Sequence, residues 1–137
     1  MKIRMLLAAG LMVMASTAVA EDIVYKCEIK PGTQYGWIPE TLFLSFNRTQ
    51  NWAWVYDAYV KNDIGKPMEA KLRERDAKSI KLDWSVDNVP NSSKTDLRVD
   101  FFLVFWPGTG KILVQSIVRG YDMQNNGHGI CAPYKEK

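Results

Sequence analysis

The chain has 137 residues, 47% hydrophobic, 24% charged and 12% aromatic, with two cysteines and one histidine. That is one domain with material for a modest core, and it excludes an enzyme built from separate nucleotide-binding and substrate domains. Eighteen Lys and Arg stand against 15 Asp and Glu, but Lys2 and Arg4 fall in a segment expected to be removed, which leaves the mature chain near neutral at +1. Such a chain lacks the excess positive charge that neutralising the phosphates of a nucleic acid requires.

Residues 1–20 read as a secretory signal peptide: early charges at Lys2 and Arg4, an uncharged apolar run from Met5 to Val13, and the small-residue ending Ala18-Val19-Ala20 before Glu21. The run is shorter than the roughly 20 residues of a membrane span. No cysteine follows it directly, so a lipid-anchored product is not expected either. The expected product is a single β-rich domain, residues 21–137, periplasmic or secreted and not membrane-embedded. In an oxidising compartment Cys27 and Cys131 are expected to form one disulfide that clasps the two ends of the domain. Use of either as a nucleophile or zinc ligand would need neighbours that His128 alone does not supply.

In chain order the body alternates apolar and polar residues with a period of two, between clusters of Gly, Pro, Asn and Asp. The pattern predicts strands over Ile23–Ile29, Ile38–Phe46 and Trp52–Val60, the last two forming a hairpin through the polar turn 47–51. Leu42, Leu44 and Phe46 share one face of the second strand, and Trp52, Trp54 and Tyr56 share one face of the third. Met68 to Ala77 has the composition of a helix, but Ala70 and Leu72 alternate with Lys71, Arg73 and Arg75, and a clear strand follows at Ile80 to Val86, so a strand is predicted here too. After a polar loop come the most apolar run, Leu97–Trp106, the turn Pro107-Gly108-Thr109-Gly110, and a last strand over Lys111–Arg119. From Gly120 the chain reads as a Gly- and Asn-rich tail. Seven strands with short links predict an all-β antiparallel meander closed into a small barrel, with a β-sandwich as the alternative.

No catalytic residue, metal ligand or cofactor site emerges. The serines lack G-x-S-x-G or S-x-x-K contexts, the acids lack EF-hand spacing, and Pro107–Gly110 lacks the ending of a phosphate-binding loop. Asp57, Asp83, Asp87, Asp96 and Asp100 lie in or beside strands, where paired carboxylates would suit glycan hydrolysis and solvated strand faces carry such acids anyway. His128, between two glycines, reads as a loop residue or a binding contact. The ring row Trp52, Trp54 and Tyr56 reads first as barrel core; its functional alternative is an exposed stacking platform with Arg48 and Arg98 as polar anchors.

In layout the chain is similar to the small periplasmic β-barrel inhibitors of lysozyme: exported, strand-rich, one domain, disulfide-bonded. The nearest segment to their Ser-Gly-x-x-Tyr loop, Pro107-Gly108-Thr109-Gly110-Lys111, has Thr and no Tyr, so the resemblance implies a fold and no target. The functional expectation is an exported non-catalytic binding module contacting an envelope protein or a cell-wall glycan. A carrier of an apolar ligand within the barrel comes second and a glycan hydrolase third. Candidate ligand-binding residues are Trp52, Trp54, Tyr56, Arg48, Arg98 and His128.

Overall fold

The computed structural model describes residues 22–32, 37–89, 97–121 and 124–135; the expected signal segment and Asp96 lie outside them. The alternation read from the sequence becomes nine strands: β1 (Val24–Pro31), β2 (Thr41–Asn47), β3 (Trp52–Tyr56), β4 (Met68–Glu69), β5 (Lys71–Asp76), β6 (Ser79–Val89), β7 (Leu97–Trp106), β8 (Lys111–Val118) and β9 (Gln124–Pro133). Among the described residues one helix, α1 (Ala58–Ile64), interrupts them. All ladders are antiparallel, in the order β4-β3-β2-β1-β9-β8-β7-β6-β5. The edge strands β4 and β5 are separated only by Ala70, whose N–H donates to the Ala53 carbonyl (3.0 Å), so the chain itself crosses the seam. With β4 and β5 counted as one bent strand, this is an up-and-down barrel of eight walls.

Eight walls enclose a space that side chains can fill. The longer strands supply alternate residues to it: Leu42 and Leu44 from β2, Leu82 and Trp84 from β6, Phe101 and Phe105 from β7, all at most 5% exposed. Near one end Tyr25 packs edge-on against Phe105 at 4.9 Å between ring centroids. Towards the other, Trp84 stacks on Phe101 at 5.2 Å, and Tyr59 of α1 lies 6.0 Å from the same ring. The Cys27–Cys131 disulfide joins the first and last strands across the β1–β9 ladder, where the two are register partners.

Three expectations need correction. The third strand does not run to Val60: it ends at Tyr56, because Asp57 in an extended conformation caps a helix by accepting the Val60 N–H at 2.8 Å. Gly65, at φ 71°, ends that helix with its N–H on the Lys61 carbonyl. Second, the barrel has nine strands where seven are predicted, because Ala70 divides the fourth and the Gly-rich tail is itself a strand, β9. Its inward positions are Asn125, Gly127, Gly129 and Cys131, and the glycines are there for closeness rather than for a turn. A Cβ on Gly127 would stand 2.8 Å from the Ile38 side chain, and one on Gly129 would stand 2.0 Å from the Glu28 carbonyl oxygen of β1. His128 is accordingly an exposed strand residue on the outer face of β9 and not a loop residue.

The third correction concerns the aromatic row. Ala53 and Val55 are buried at 2% and 0% exposure, Asp57 follows them inward, and Trp52, Trp54 and Tyr56 face outward. The register decides this: β2 turns Leu44 and Phe46 inward, and their partners on β3 are Val55 and Ala53. The rings are wall, not core.

Candidate functional site

The outward rings gather others around them. Phe43 on β2 is the register partner of Tyr56, and Tyr134, just past β9, meets Phe43 edge-on at 5.1 Å. Two clefts flank this Phe43–Tyr56 ridge. One, of about 390 Å³, is lined by Val24, Phe43, Trp54, Tyr56, Pro67 and Tyr134. The other, of about 650 Å³, runs from the same ridge past Ile38 and Pro39 to Glu40, Tyr59 and Lys61. The result is an elongated aromatic face on the outer wall, apolar in the middle and polar at one end. Rings held on adjacent strands present flat faces at little entropic cost on binding, since strand pairing and packing already fix them.

The candidate residues named from sequence do not converge on this face as a group. Trp54 and Tyr56 are central to it, while Trp52 leans to the seam, where its indole N–H donates to Gln50 (3.1 Å) and its ring lines a separate shallow cleft with Glu69 and Asp83. Arg48 is engaged elsewhere: its guanidinium donates to the carbonyls of Asp76, Ala77 and Ser79 at 3.2, 3.1 and 2.9 Å and pairs with Glu74. It ties the β2–β3 turn to the β5–β6 turn across the seam. Arg98, on β7, pairs with Asp87 and Asp100, and Asp100 also accepts from Arg119 and Ser85. His128 lies on the β9 wall beside Leu113. Sequence reading missed Phe43, Tyr134, Val24 and Pro67; only Phe43 carried a signal, as the large apolar residue out of phase with Leu42 and Leu44.

Of the acids weighed for hydrolysis, Asp83, Asp87 and Asp100 share the outer face of the adjacent strands β6 and β7, and each is paired with arginine. Asp83 pairs with Arg73 at 2.9 Å on the outer face of β6, whereas Asp87 and Asp100 belong to the arginine network. Asp57 is the unusual one. Only 4% exposed, it uses one carboxylate oxygen to cap α1, and the other, Oδ2, is buried with no hydrogen-bond partner. Desolvation by burial pushes its pKa up to about 6, against the lowering effect of its hydrogen bonds from Val60 and Tyr59. Burial, and then the nearby charges of Asp57 and Glu40, push the Tyr59 phenol up as well.

A pKa raised in the fold means that the Asp57 carboxyl favours folding most when protonated. Its contribution is complete below the unfolded value of 3.8 and is lost as pH rises through about 6. The full span is on the order of 3 kcal/mol. Asp57→Asn keeps a capping oxygen and removes the buried charge. It is expected to melt above the wild type at pH 7.5, with the difference shrinking as pH falls towards 4. A difference in Tm that does not vary with pH would contradict this.

Among the described residues no cluster of three or more His, Cys, Asp or Glu is placed to hold a metal ion, and no helix is long and apolar enough to cross a membrane. Set against protein-family models, curated proteins and solved structures, the chain finds no match in any of the three comparisons.

Proposed function

We propose that the protein is an exported, non-catalytic binding module that uses the aromatic wall around Phe43, Trp54, Tyr56 and Tyr134 to hold a cell-wall glycan. The observation that carries this reading is the outward direction of the β3 rings on a barrel whose interior is lined by buried, mostly apolar side chains. A sugar chain offers alternating apolar faces and hydroxyl edges. The wall offers ring faces for the former and, along its length, tyrosine hydroxyls with Glu40, Thr41 and Lys61 for the latter. Export is supported by the leader-like residues 1–20 and by the disulfide. An envelope protein docking on the same rings is the alternative ligand.

The test is a titration with soluble peptidoglycan fragments followed by intrinsic tryptophan fluorescence. Trp54→Ala is expected to weaken binding by roughly tenfold or more, as loss of an aromatic anchor at a binding face does. Because Trp54 lies on the outer wall, the variant is expected to keep the wild-type fold, checked by circular dichroism. Unchanged affinity in a folded Trp54→Ala protein would remove the wall from the binding site. Failure of the fragments to bind at all would turn the search to a protein partner.

The second reading, a carrier, has one observation in its favour. Trp84, Phe101 and Ser116 are successive register partners facing the interior, and the indole Nε1 of Trp84 and the hydroxyl of Ser116 are buried without a hydrogen-bond partner. Two such donors under one end of the barrel suit the polar head of a small ligand held inside.

A further inference from the structure

On the side of the barrel away from the aromatic wall, the outer face of β7, β8 and β9 carries three of the large apolar side chains that remain exposed: Phe102 at 37%, Leu113 at 42% and Ile130 at 60%. Their positions are not scattered. Phe102 is opposite Gln115, Leu113 is opposite Val104 and His128, and Ile130 is opposite Lys111, so each stands diagonally from the next and the three form a strip crossing three strands. Diagonal neighbours on one sheet face lie within reach of long side chains. A cleft of about 580 Å³ opens along this face, floored by Phe102, Val104 and Leu113 and bounded by Arg73 and Lys81.

The middle register row reads, in strand order, Arg73, Lys81, Val104, Leu113, His128, Lys30. An apolar centre is thus bracketed by cations on both sides, over a width of roughly 25 Å at the usual strand spacing. A second pair of cations, Arg75 and Lys111, lies over the Trp106 ring at 5.5 and 5.7 Å and extends the positive border. Two acids share the face: Asp83 in the cleft is held by Arg73, and Glu28, the register partner of Ile130, pairs with Lys26 at 3.7 Å. With those acids paired to Arg73 and Lys26, and Asp76 paired to Arg75, the cations Lys81, Lys30 and Lys111 border the exposed apolar side chains.

We infer that this wall is a docking face for an anionic lipid surface, with Leu113, Ile130 and Phe102 entering the interfacial layer while Lys81 and Lys30 meet the head groups. Apolar insertion and attraction to anionic lipid each contribute modestly and act together at such faces. The apolar strip is centred on β8, four strands from β3 in the sheet order, so Trp54 and Tyr56 stay free when it is engaged.

All strands and the disulfide lie within residues 24–133, so the test uses the expected mature chain, residues 21–137, without the apolar leader. The probe is co-sedimentation with vesicles of phosphatidylcholine alone and of phosphatidylcholine mixed with phosphatidylglycerol. Binding to the phosphatidylglycerol vesicles is expected, with a marked decline as salt is raised. It should fall about tenfold in Leu113→Asn/Ile130→Asn and about fivefold for each of Lys81→Gln and Lys30→Gln. These side chains are exposed, so the variants are expected to fold, and circular dichroism checks it. Trp54→Ala is expected to leave vesicle binding unchanged, which separates failure here from failure of the glycan reading. No binding to anionic vesicles at low salt, equal binding to both vesicle types, or binding indifferent to the Leu113/Ile130 pair would overturn the inference. So would binding of poly-glutamate without binding of vesicles, which would assign the wall to an acidic protein.

Discussion

Gly129→Ala is expected to prevent the barrel from closing. The methyl group would sit 2.0 Å from the Glu28 carbonyl oxygen and 2.9 Å from the Ile29 Cα, and both are backbone atoms of β1 that no rotamer change can move. Relief requires β1 and β9 to separate. That ladder joins the β4–β1 half of the sheet to the β9–β5 half, and it holds the disulfide as well. The expected result is loss of near-ultraviolet circular dichroism and of a cooperative thermal transition at physiological temperature. Gly108→Ala is the control: nothing lies within 4 Å of its added methyl, so its stability should stay within about 0.5 kcal/mol of wild type. A Gly129→Ala protein that melts like the control would show that β9 does not run against β1 as described.

The second large effect is expected on the clasp. Cys27 and Cys131 are 104 residues apart in sequence and adjacent across the β1–β9 ladder, so the bond closes nearly the whole domain into one loop. In the chain-entropy account such a loop stabilises the fold by about 4–5 kcal/mol, relative to a more open unfolded ensemble. Cys27→Ser/Cys131→Ser should therefore lower Tm by roughly 10 °C or more. The wild type melted in reductant should shift by a similar amount. The inward register of β1 and β9 is unchanged by the substitution, so the variant is expected to fold to the same barrel at low temperature. An unchanged midpoint under oxidising conditions would contradict the clasp.

What the sequence disclosed follows the physics of its signals. Period-two alternation is a local signal, so β2, β6, β7 and β8 are legible within a few residues, and the Pro107–Gly110 segment reads correctly as a hairpin turn. Met68 to Asp76 is strand despite its helical composition, because alternation and pairing with a neighbour outweigh propensity. The helix α1 hides behind an apolar ring row that leads straight into it; its signal is the pair Asp57 and Gly65, a cap at each end. β9 was illegible because its inward face is made of Asn, Gly and Cys, and a strand without side chains looks like a loop until the strand it touches is known. The facing of Trp52, Trp54 and Tyr56 was undecidable from β3 alone, since both faces of that strand carry apolar residues. Leu42 and Leu44 on the neighbouring strand settle it through the ladder, and the ladder is a tertiary fact. The apolar outer positions Phe102 and Val104 were visible in the sequence as a strand apolar on both faces, which reads as a central strand; it is paired on both sides, and its outer face is also exposed.

On the proposed reading the outer wall, and not the barrel interior, carries the binding chemistry. The most direct measurement follows the indole N–H resonances of the five tryptophans by nuclear magnetic resonance while soluble peptidoglycan fragments are added. The prediction is that Trp54 moves most while Trp84, 5% exposed beneath the barrel wall, keeps its position. A shift of the Trp84 indole with Trp54 unmoved would place the ligand inside the barrel and contradict the account.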